Sequence, residues 1–442
     1  MAARFQQLGA FIGSTMQKHL WPIADQGLIA AASFVTIVFI ARGLSIEEFG
    51  AYTLVYSLIY FASSMQASLI TQPHNVLGAI RKGEDYVRYT TATAVGQVAL
   101  ATGSALLALG AGAVARVFGW EVAPILFAAA PAMFAWQMQE FVRRVLYTEN
   151  RILAAFVNDL LAYGAQVFLI AVLWHQEILT ASAALYVLAG TCALSTVLGC
   201  WQLRASVCRS FDRAMLWENW HFGKWVAGGT IVGEWLSAQM LVFIAAAMLG
   251  AAAAGVLRAI HTLFGPARIL AQVFSITLPT RLARALADEG PEAFQVHLRQ
   301  TLLVAIPVLG SYCMLVAALA KPLLQLVFGE KYQEYNWVLV LYAASAFLTY
   351  LWMIGTAVLR AQRLTRPIFI SEVIYLFIVP LGALLIPLWG IHGLVVGLIA
   401  GDIAALVYVV WAHLRCTTDA DIVRQDLLDT NLAGVRAEGA LR

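Results

Sequence analysis

Long runs of apolar residues, each ended by charged residues or by a Gly/Pro cluster, divide the chain into twelve segments. Most of them reach the roughly 20 residues that a helix needs to cross a bilayer, whereas membrane strands are about 10 residues long and alternate in polarity. The pattern therefore predicts about twelve transmembrane helices. They are at 22–42, 49–70, 90–115, 122–142, 152–174, 178–202, 222–248, 252–278, 300–319, 335–359, 367–387 and 389–413.

Composition indicates that lipid is the solvent of this chain. Of its 442 residues 61% are apolar and 12% are charged, while soluble domains are about 45–50% apolar. The first 20 residues contain only a short apolar patch and no small-residue cleavage pattern, so we expect no removable signal peptide. The five cysteines form no C-x-x-C pair, which predicts neither a metal site nor a disulfide framework.

The distribution of Lys and Arg predicts the orientation in the membrane. Basic residues concentrate in alternate connecting segments, for example Arg143 and Arg144 after the fourth span. The opposite set of segments contains only Arg42, Arg116, Lys321 and Lys331. Because basic residues accumulate on the cytoplasmic side, both termini are predicted to be cytoplasmic.

The span count suggests two halves. We expect an all-α polytopic fold with two pseudo-symmetric six-helix lobes around a central cavity: lobe 1–205, a cytoplasmic linker 206–221, lobe 222–415 and a cytoplasmic tail 416–442. The sequence Phe-Ile-Ala at 39–41, which precedes Gly50, recurs at 243–245 before Gly255. Such an echo is typical of parallel repeats related by an axis along the membrane normal.

The eighth span carries polar residues on one predicted helical face, since their spacing is three or four residues. These residues are Arg258, His261, Gly265, Arg268 and Gln272. Arginine offers planar, bidentate donors to phosphate. We therefore expect Arg258 and Arg268 to bind a phosphate-bearing substrate, with His261 and Gln272 as hydrogen-bonding partners. The alternative is that the two arginines extend to opposite membrane interfaces.

Proline at the centre of this span removes a backbone hydrogen bond and bends a helix. Gly265 and Pro266 are therefore candidate hinge residues.

Carboxylates inside a membrane are energetically unfavourable and often functional. Candidates for coupling to a proton or sodium gradient are Asp25, Asp159, Glu234 and Asp402. Glu234 and Arg268 are predicted at about the same depth, which would permit an ion pair that is either structural or a switch.

Enzyme motifs are absent from the sequence. We find no G-x-S-x-G, H-E-x-x-H, Walker A or G-x-G-x-x-G sequence in a suitable context. The chain is therefore predicted not to be an enzyme, and uphill transport would have to use an ion gradient or the gradient of the substrate.

Four short stretches carry a family resemblance. They are Asp25-Gln26-Gly27-Leu28, the run ARGLSIEEFGAY at 41–52, Phe328-Gly329-Glu330-Lys331-Tyr332, and Arg360-Ala361-Gln362-Arg363 through Arg366-Pro367. They resemble the bacterial polysaccharide-exporter flippases of the multidrug/oligosaccharidyl-lipid/polysaccharide (MOP) flippase superfamily. The resemblance implies alternating-access transport of an undecaprenyl-diphosphate-linked oligosaccharide from the cytoplasmic to the periplasmic leaflet of the bacterial inner membrane.

The resemblance also implies a role in O-antigen, capsule or exopolysaccharide assembly, beside a polysaccharide polymerase and a chain-length regulator. Membrane lipids are further expected partners, whereas no nucleic acid and no cofactor are expected. Two alternatives remain open: a cation-coupled drug or metabolite antiporter of the same superfamily, and a membrane-embedded glycan polymerase, ligase or acyltransferase. Arg258 and Arg268 count against the antiporter because they would repel cationic drugs.

Overall fold

The computed structural model describes residues 2–208, 212–231, 240–362 and 364–439, and within these ranges the secondary structure is helical with no β-strand. The first helices are α1 (Ala2–Gly43), α2 (Ile46–Gln66), α3 (Gly83–Val117), α4 (Ala123–Thr148), α5 (Ile152–Asp159), α6 (Ala165–His175), α7 (Ala181–Gln202) and α8 (Arg213–Thr230). They are followed by α9 (Met240–Leu249), α10 (Ala251–Leu263), α11 (Gly265–Asp288), α12 (Pro291–Ala318), α13 (Ala320–Phe328), α14 (Asn336–Ala361), α15 (Thr365–Ile378), α16 (Ile386–Trp389) and α17 (Ile391–Gly439). Short π-helical segments extend α2 (Ala67–Thr71 and His74–Gly78) and join α5 to α6 (Leu160–Gly164), and 3-10 segments lie at Glu330–Tyr335 and Val379–Leu385.

Each predicted span overlaps at least one of these helices. In the described part of the chain nine helical segments are long and apolar enough to cross a bilayer, and α10 with α11 makes a tenth if the pair is one broken span. α4 and the short apolar helix α9 account for the other two predicted spans. The prediction of an all-helical, multi-pass membrane protein is confirmed.

Several helices extend beyond the predicted spans; α12, for example, begins at Pro291 instead of 300. The fourth span continues as α4 to Thr148, because Glu140 pairs with Arg143 and Arg144 at the i+3 and i+4 spacings that stabilise a helix. Helical structure before the seventh span begins at Arg213, inside the segment that was predicted to be a linker.

The eighth span consists of two helices that meet where the sequence predicts a bend. α10 ends at Leu263 and α11 begins at Gly265, with Phe264 between them at φ −91° and ψ 2°. The cause is Pro266, which lies in the first turn of α11 and has no backbone N–H to continue the hydrogen-bond ladder.

Two tyrosine hydroxyls bond the carbonyl groups at this interruption. Tyr312 of α12 donates to the Leu263 oxygen at 2.6 Å, and Tyr350 of α14 donates to the Phe264 oxygen at 3.1 Å. Since an unpaired buried carbonyl is unfavourable, these hydroxyls stabilise the interrupted form of the span.

Residue contacts group 1–262 and 323–334 into one compact unit. Within it α4 packs along both α3 and α7. Small residues permit the close approach: a Cβ atom on Gly112 of α3 would lie 3.1 Å from the Phe127 ring of α4. This packing fixes α4 at the centre of the unit.

In the same unit α2 meets α10 through two glycines. A Cβ atom on Gly50 would overlap the Ala251 carbonyl, and one on Gly255 would lie 2.9 Å from the Gly50 nitrogen. Lys331 donates to the carbonyls of Arg42 and Leu44 beside this crossing. The two glycines of the sequence echo are thus in direct contact.

Residues 263–322 and 335–442 form the second unit. In it α14 packs against α17 and α11, and α15 packs against α17. Gly382 and Gly397 bring the segment Val379–Leu385 against α17, since a Cβ atom on Gly397 would lie 2.5 Å from the Gly382 Cα. The division into lobes 1–205 and 222–415 stays a prediction.

Candidate functional site

A buried arginine joins three carboxylates in the first unit. Arg143 of α4 lies with Nη2 3.1 Å from Asp25 Oδ2, Nε 2.8 Å from Asp159 Oδ2 and Nη1 3.0 Å from Glu140 Oε2. The side chains of Asp25 and Asp159 are 0% exposed, and that of Arg143 is 7% exposed. We refer to Asp25, Glu140, Arg143, Arg144 and Asp159 as the Arg143 cluster.

Neutral donors add hydrogen bonds to this cluster. The Tyr147 hydroxyl donates to Asp25 Oδ2 at 2.6 Å, and the Gln139 amide donates to Asp159 Oδ1 at 2.5 Å. Three carboxylates face two guanidinium groups, so their formal charges nearly cancel. Buried charges are stable when they are paired and hydrogen-bonded in this way.

Helical spacing and a π-helical turn assemble the cluster. Glu140, Arg143 and Tyr147 follow one another at intervals of three and four residues, so they share one face of α4. Asp159 is the last residue of α5, directly before the π-helical segment Leu160–Gly164, and Asp25 lies in α1.

The structure therefore brings the two predicted coupling candidates Asp25 and Asp159 together through Arg143. Arg143 was predicted to lie in a connecting segment. Arg143 is in the helix and buried, so that assignment is wrong. The clue in the sequence is Glu140, whose i+3 and i+4 neighbours are both arginine.

Arg258 lies against aromatic rings of α2. Its guanidinium carbon is 5.5 Å from the centroid of the Tyr56 ring, within the range of a cation–π contact. Tyr56 in turn stacks on Tyr52 at 5.6 Å and on Trp136 of α4 at 5.8 Å. Arg258, Tyr56 and Trp136 are half-buried, and we call these three residues with Tyr52 the Arg258 aromatic surface.

The other residues of the predicted stripe are divided by the interruption at Phe264. His261, half-buried, follows Arg258 by one turn on α10, whereas Arg268 and Gln272 are exposed on α11. Gly265 is half-buried and Pro266 is exposed in the first residues of α11. The arrangement of the five residues on one face stays a prediction.

Glu234 lies outside the described residues. The Glu234–Arg268 pair predicted from depth stays a prediction.

Asp402 of α17 is a further fully buried carboxylate, and it belongs to the second unit. The Ser345 and Thr349 hydroxyls of α14 donate to its Oδ2 and Oδ1 at 2.5 and 2.9 Å. Ser345 and Thr349 are four residues apart and so lie on one face of α14. Hydroxyl groups are not distinctive in an apolar span, so Ser345 and Thr349 were not predicted from the sequence.

Comparison with solved structures defines the class of fold. An inward-facing multidrug resistance MATE family transporter of the MOP superfamily is 14% identical, with 88% of this chain and 94% of that chain covered and a TM-score of 0.69. The lipid II flippase MurJ in an inward closed conformation is 12% identical over 89% and 87%, with a TM-score of 0.63. A MOP superfamily transporter from Pyrococcus furiosus is 14% identical over 89% and 93%, with a TM-score of 0.57. The chain has the fold of MOP superfamily transporters.

The sequence profile of a family described as polysaccharide biosynthesis protein matches residues 39–337. The chain belongs to this family. No curated protein matches the sequence. The similar structures are transporters and a flippase, which agrees with the prediction that the chain is not an enzyme.

Proposed function

We propose that the chain is a transporter of the bacterial inner membrane that flips an undecaprenyl-diphosphate-linked oligosaccharide from the cytoplasmic to the periplasmic leaflet. The product would be used to assemble O-antigen, capsule or exopolysaccharide, beside a polymerase and a chain-length regulator. Family membership and the MOP fold support a flippase of polysaccharide precursors.

The observation that carries this proposal is the Arg258 aromatic surface. A guanidinium group donates in a bidentate manner to a diphosphate, and half-buried aromatic rings beside it offer flat apolar faces to a sugar. Arg258 is held by the Tyr56 ring without an ion pair to a carboxylate in the described part of the chain. Its N–H donors therefore remain available to an anionic substrate. His261 would add a polar contact one turn away.

The test is replacement of Arg258 at normal membrane abundance in a strain that lacks the native gene. Arg258→Ala should lower surface polysaccharide about tenfold or more, since one charge-assisted hydrogen bond contributes about 1.5–3 kcal/mol. Lipid-linked oligosaccharide should then accumulate, and Arg258→Lys should restore part of the export.

The matched control is Arg88→Ala, which removes an arginine whose side chain is 57% exposed and should leave export unchanged. Unaltered polymer in Arg258→Ala would remove this residue from the mechanism. A gene deletion that raises sensitivity to cationic drugs while surface polymer stays normal would favour the antiporter instead.

Arg268 and Gln272 extend the proposed substrate path on α11, with Gly265 and Pro266 as the hinge. In this proposal Asp25, Asp159 and Glu234 act as coupling groups. Coupling through Asp25 or Asp159 would require their ion pairs with Arg143 to break during the cycle. Asn substitution of either residue should then alter the dependence of export on the ion gradient.

A further inference from the structure

Asp402 is buried between α14 and α17 with no basic residue paired to it in the described part of the chain. Its side-chain partners are the hydroxyls of Ser345 and Thr349. Thr349 also lies 3.0 Å from the Ser345 carbonyl oxygen, so its one hydroxyl proton faces two acceptors. This site contains more acceptor atoms than protons.

The groups that face Asp402 from the neighbouring helices are neutral or acidic. From α15, Tyr375 packs on Gly401 with a ring carbon 3.3 Å from where a glycine Cβ would be, and Glu372 lies one turn before Tyr375. From α14 the facing groups are Ser345 and Thr349. The nearest basic side chains on α17 are His392 and His413, each about three turns from Asp402, and His413 bonds to Gln362 at 3.0 Å. On α14, Arg360 donates to Ser275 at 2.9 Å.

An ionised carboxylate removed from water without a cation is strongly disfavoured, and such a group takes up a proton instead. A proton on Oδ2 keeps the 2.5 Å contact, because the acid then donates to Ser345 Oγ, while Thr349 continues to donate to Oδ1.

We propose that Asp402 is a protonation site of the second unit, a neutral acid while α14 and α17 are packed and an anion when water separates them. Close packing of the same two helices continues at Gly355, where a Cβ atom would lie 2.7 Å from Val409. Loss of the proton would leave a negative charge at this interface, which water can solvate only if the helices part. Release of the proton to water is thereby linked to opening of the α14–α17 contact.

The protonation state is measured on the purified full-length protein in lipid nanodiscs by infrared spectroscopy. The wild type minus Asp402→Asn difference spectrum should contain the C=O stretch of a carboxylic acid at neutral pH, and this band should be lost at high pH. Ser345→Ala should shift the band without removing it, and Glu372→Gln, the matched control, should leave it in place. Absence of the band overturns the inference. So does its disappearance when sodium chloride replaces choline chloride, because the site would then bind sodium.

The coupling role of Asp402 rests on the proposed function and has a separate readout. Asp402→Asn should reduce surface polysaccharide at normal membrane abundance, and Asp402→Glu, which keeps the titratable group, should restore part of it. An infrared band together with unchanged export would overturn the coupling role and leave the protonation site standing. Failure of the flippase proposal, seen as normal surface polymer after deletion of the gene, would not affect the spectrum.

Discussion

The Arg143 cluster and the Asp402 site both bury carboxylates that are 0% exposed, yet they balance the charge differently. In the first unit a guanidinium group lies between Asp25 and Asp159 and touches both. In the second unit Asp402 has two hydroxyls and no ion pair in the described part of the chain. Fully buried aspartates therefore take part in two kinds of interaction in this chain: ion pairs with an arginine in the first unit and hydrogen bonds with hydroxyls in the second.

This difference predicts which of the two sites contributes more to stability and which can gain or lose a proton. Arg143 places a fixed positive charge beside its carboxylates, and removal of that charge would leave them buried without a cation. Asp402 has no such partner in the described part of the chain, and its hydroxyl partners can bond to an acid or to an anion. We therefore expect substitutions in the Arg143 cluster to have the larger effect on stability and substitution of Asp402 to have the larger effect on the proton cycle.

The largest expected effect is that of Arg143→Ala. Removal of one partner from a buried ion pair leaves uncompensated charge and destabilises a protein by about 3–5 kcal/mol. Thermal unfolding of the purified protein in nanodiscs measures the change. Arg144→Ala is the control, because Arg144 is 41% exposed and has a single pair, with Glu140. Equal losses in the two variants would contradict a special role for Arg143.

Removal of a carboxylate should partly rescue that loss. Arg143→Ala combined with Asp159→Asn has one buried negative charge fewer than Arg143→Ala alone, so the double variant should be more stable than the single one. A coupling energy of about 0.5–3 kcal/mol is expected for residues in one network, and unfolding of all four members of the cycle measures it. Additive effects would show that the 2.8 Å contact contributes nothing.

Deletion of one hydroxyl at each site compares the two carboxylates directly. Tyr147→Phe removes a donor to ionised Asp25 and should reduce stability by about 1.5–3 kcal/mol, whereas Ser345→Ala at a neutral Asp402 should reduce it by about 0.5–1.5 kcal/mol. The same unfolding assay applies. The reverse order would indicate that Asp402, rather than Asp25, is the charged partner.

The smallest expected effect on stability is that of Asp402→Asn. The amide has the shape of a neutral acid and can both donate to and accept from the α14 hydroxyls, so the change should be below about 1 kcal/mol. Unfolding at neutral pH tests this. A large gain in stability would mean that the native side chain is ionised and strained.

Most of the fold follows from the sequence, because a helix that crosses a bilayer needs an apolar run of about 20 residues. Each predicted span contains a helix. The interruption at Phe264 was not predicted, although Pro266 indicated a bend. Whether a proline bends a helix or ends it depends on the contacts around it, and here Tyr312 and Tyr350 donate to the Leu263 and Phe264 carbonyls from distant parts of the chain.

The candidate site was only partly predictable for a similar reason. Burial of Asp25, Asp159 and Asp402 agrees with their positions in apolar spans. Arg143, in contrast, looked like a basic residue of a connecting segment because it follows a long apolar run. Its buried position depends on Asp25, which is 118 residues away in the sequence. A count of charges along the chain contains no information about such a partner.

The Gly50–Gly255 contact has a mechanical consequence. Where side chains interlock, helices separate only after several rotamers change, and a larger residue can often be accommodated by its neighbours. At this crossing main chain meets main chain, so neither form of adjustment exists. A single added methyl group would push the two helices apart. The unsubstituted surfaces have no interlocking side chains, so the helices can separate or slide past each other with little resistance.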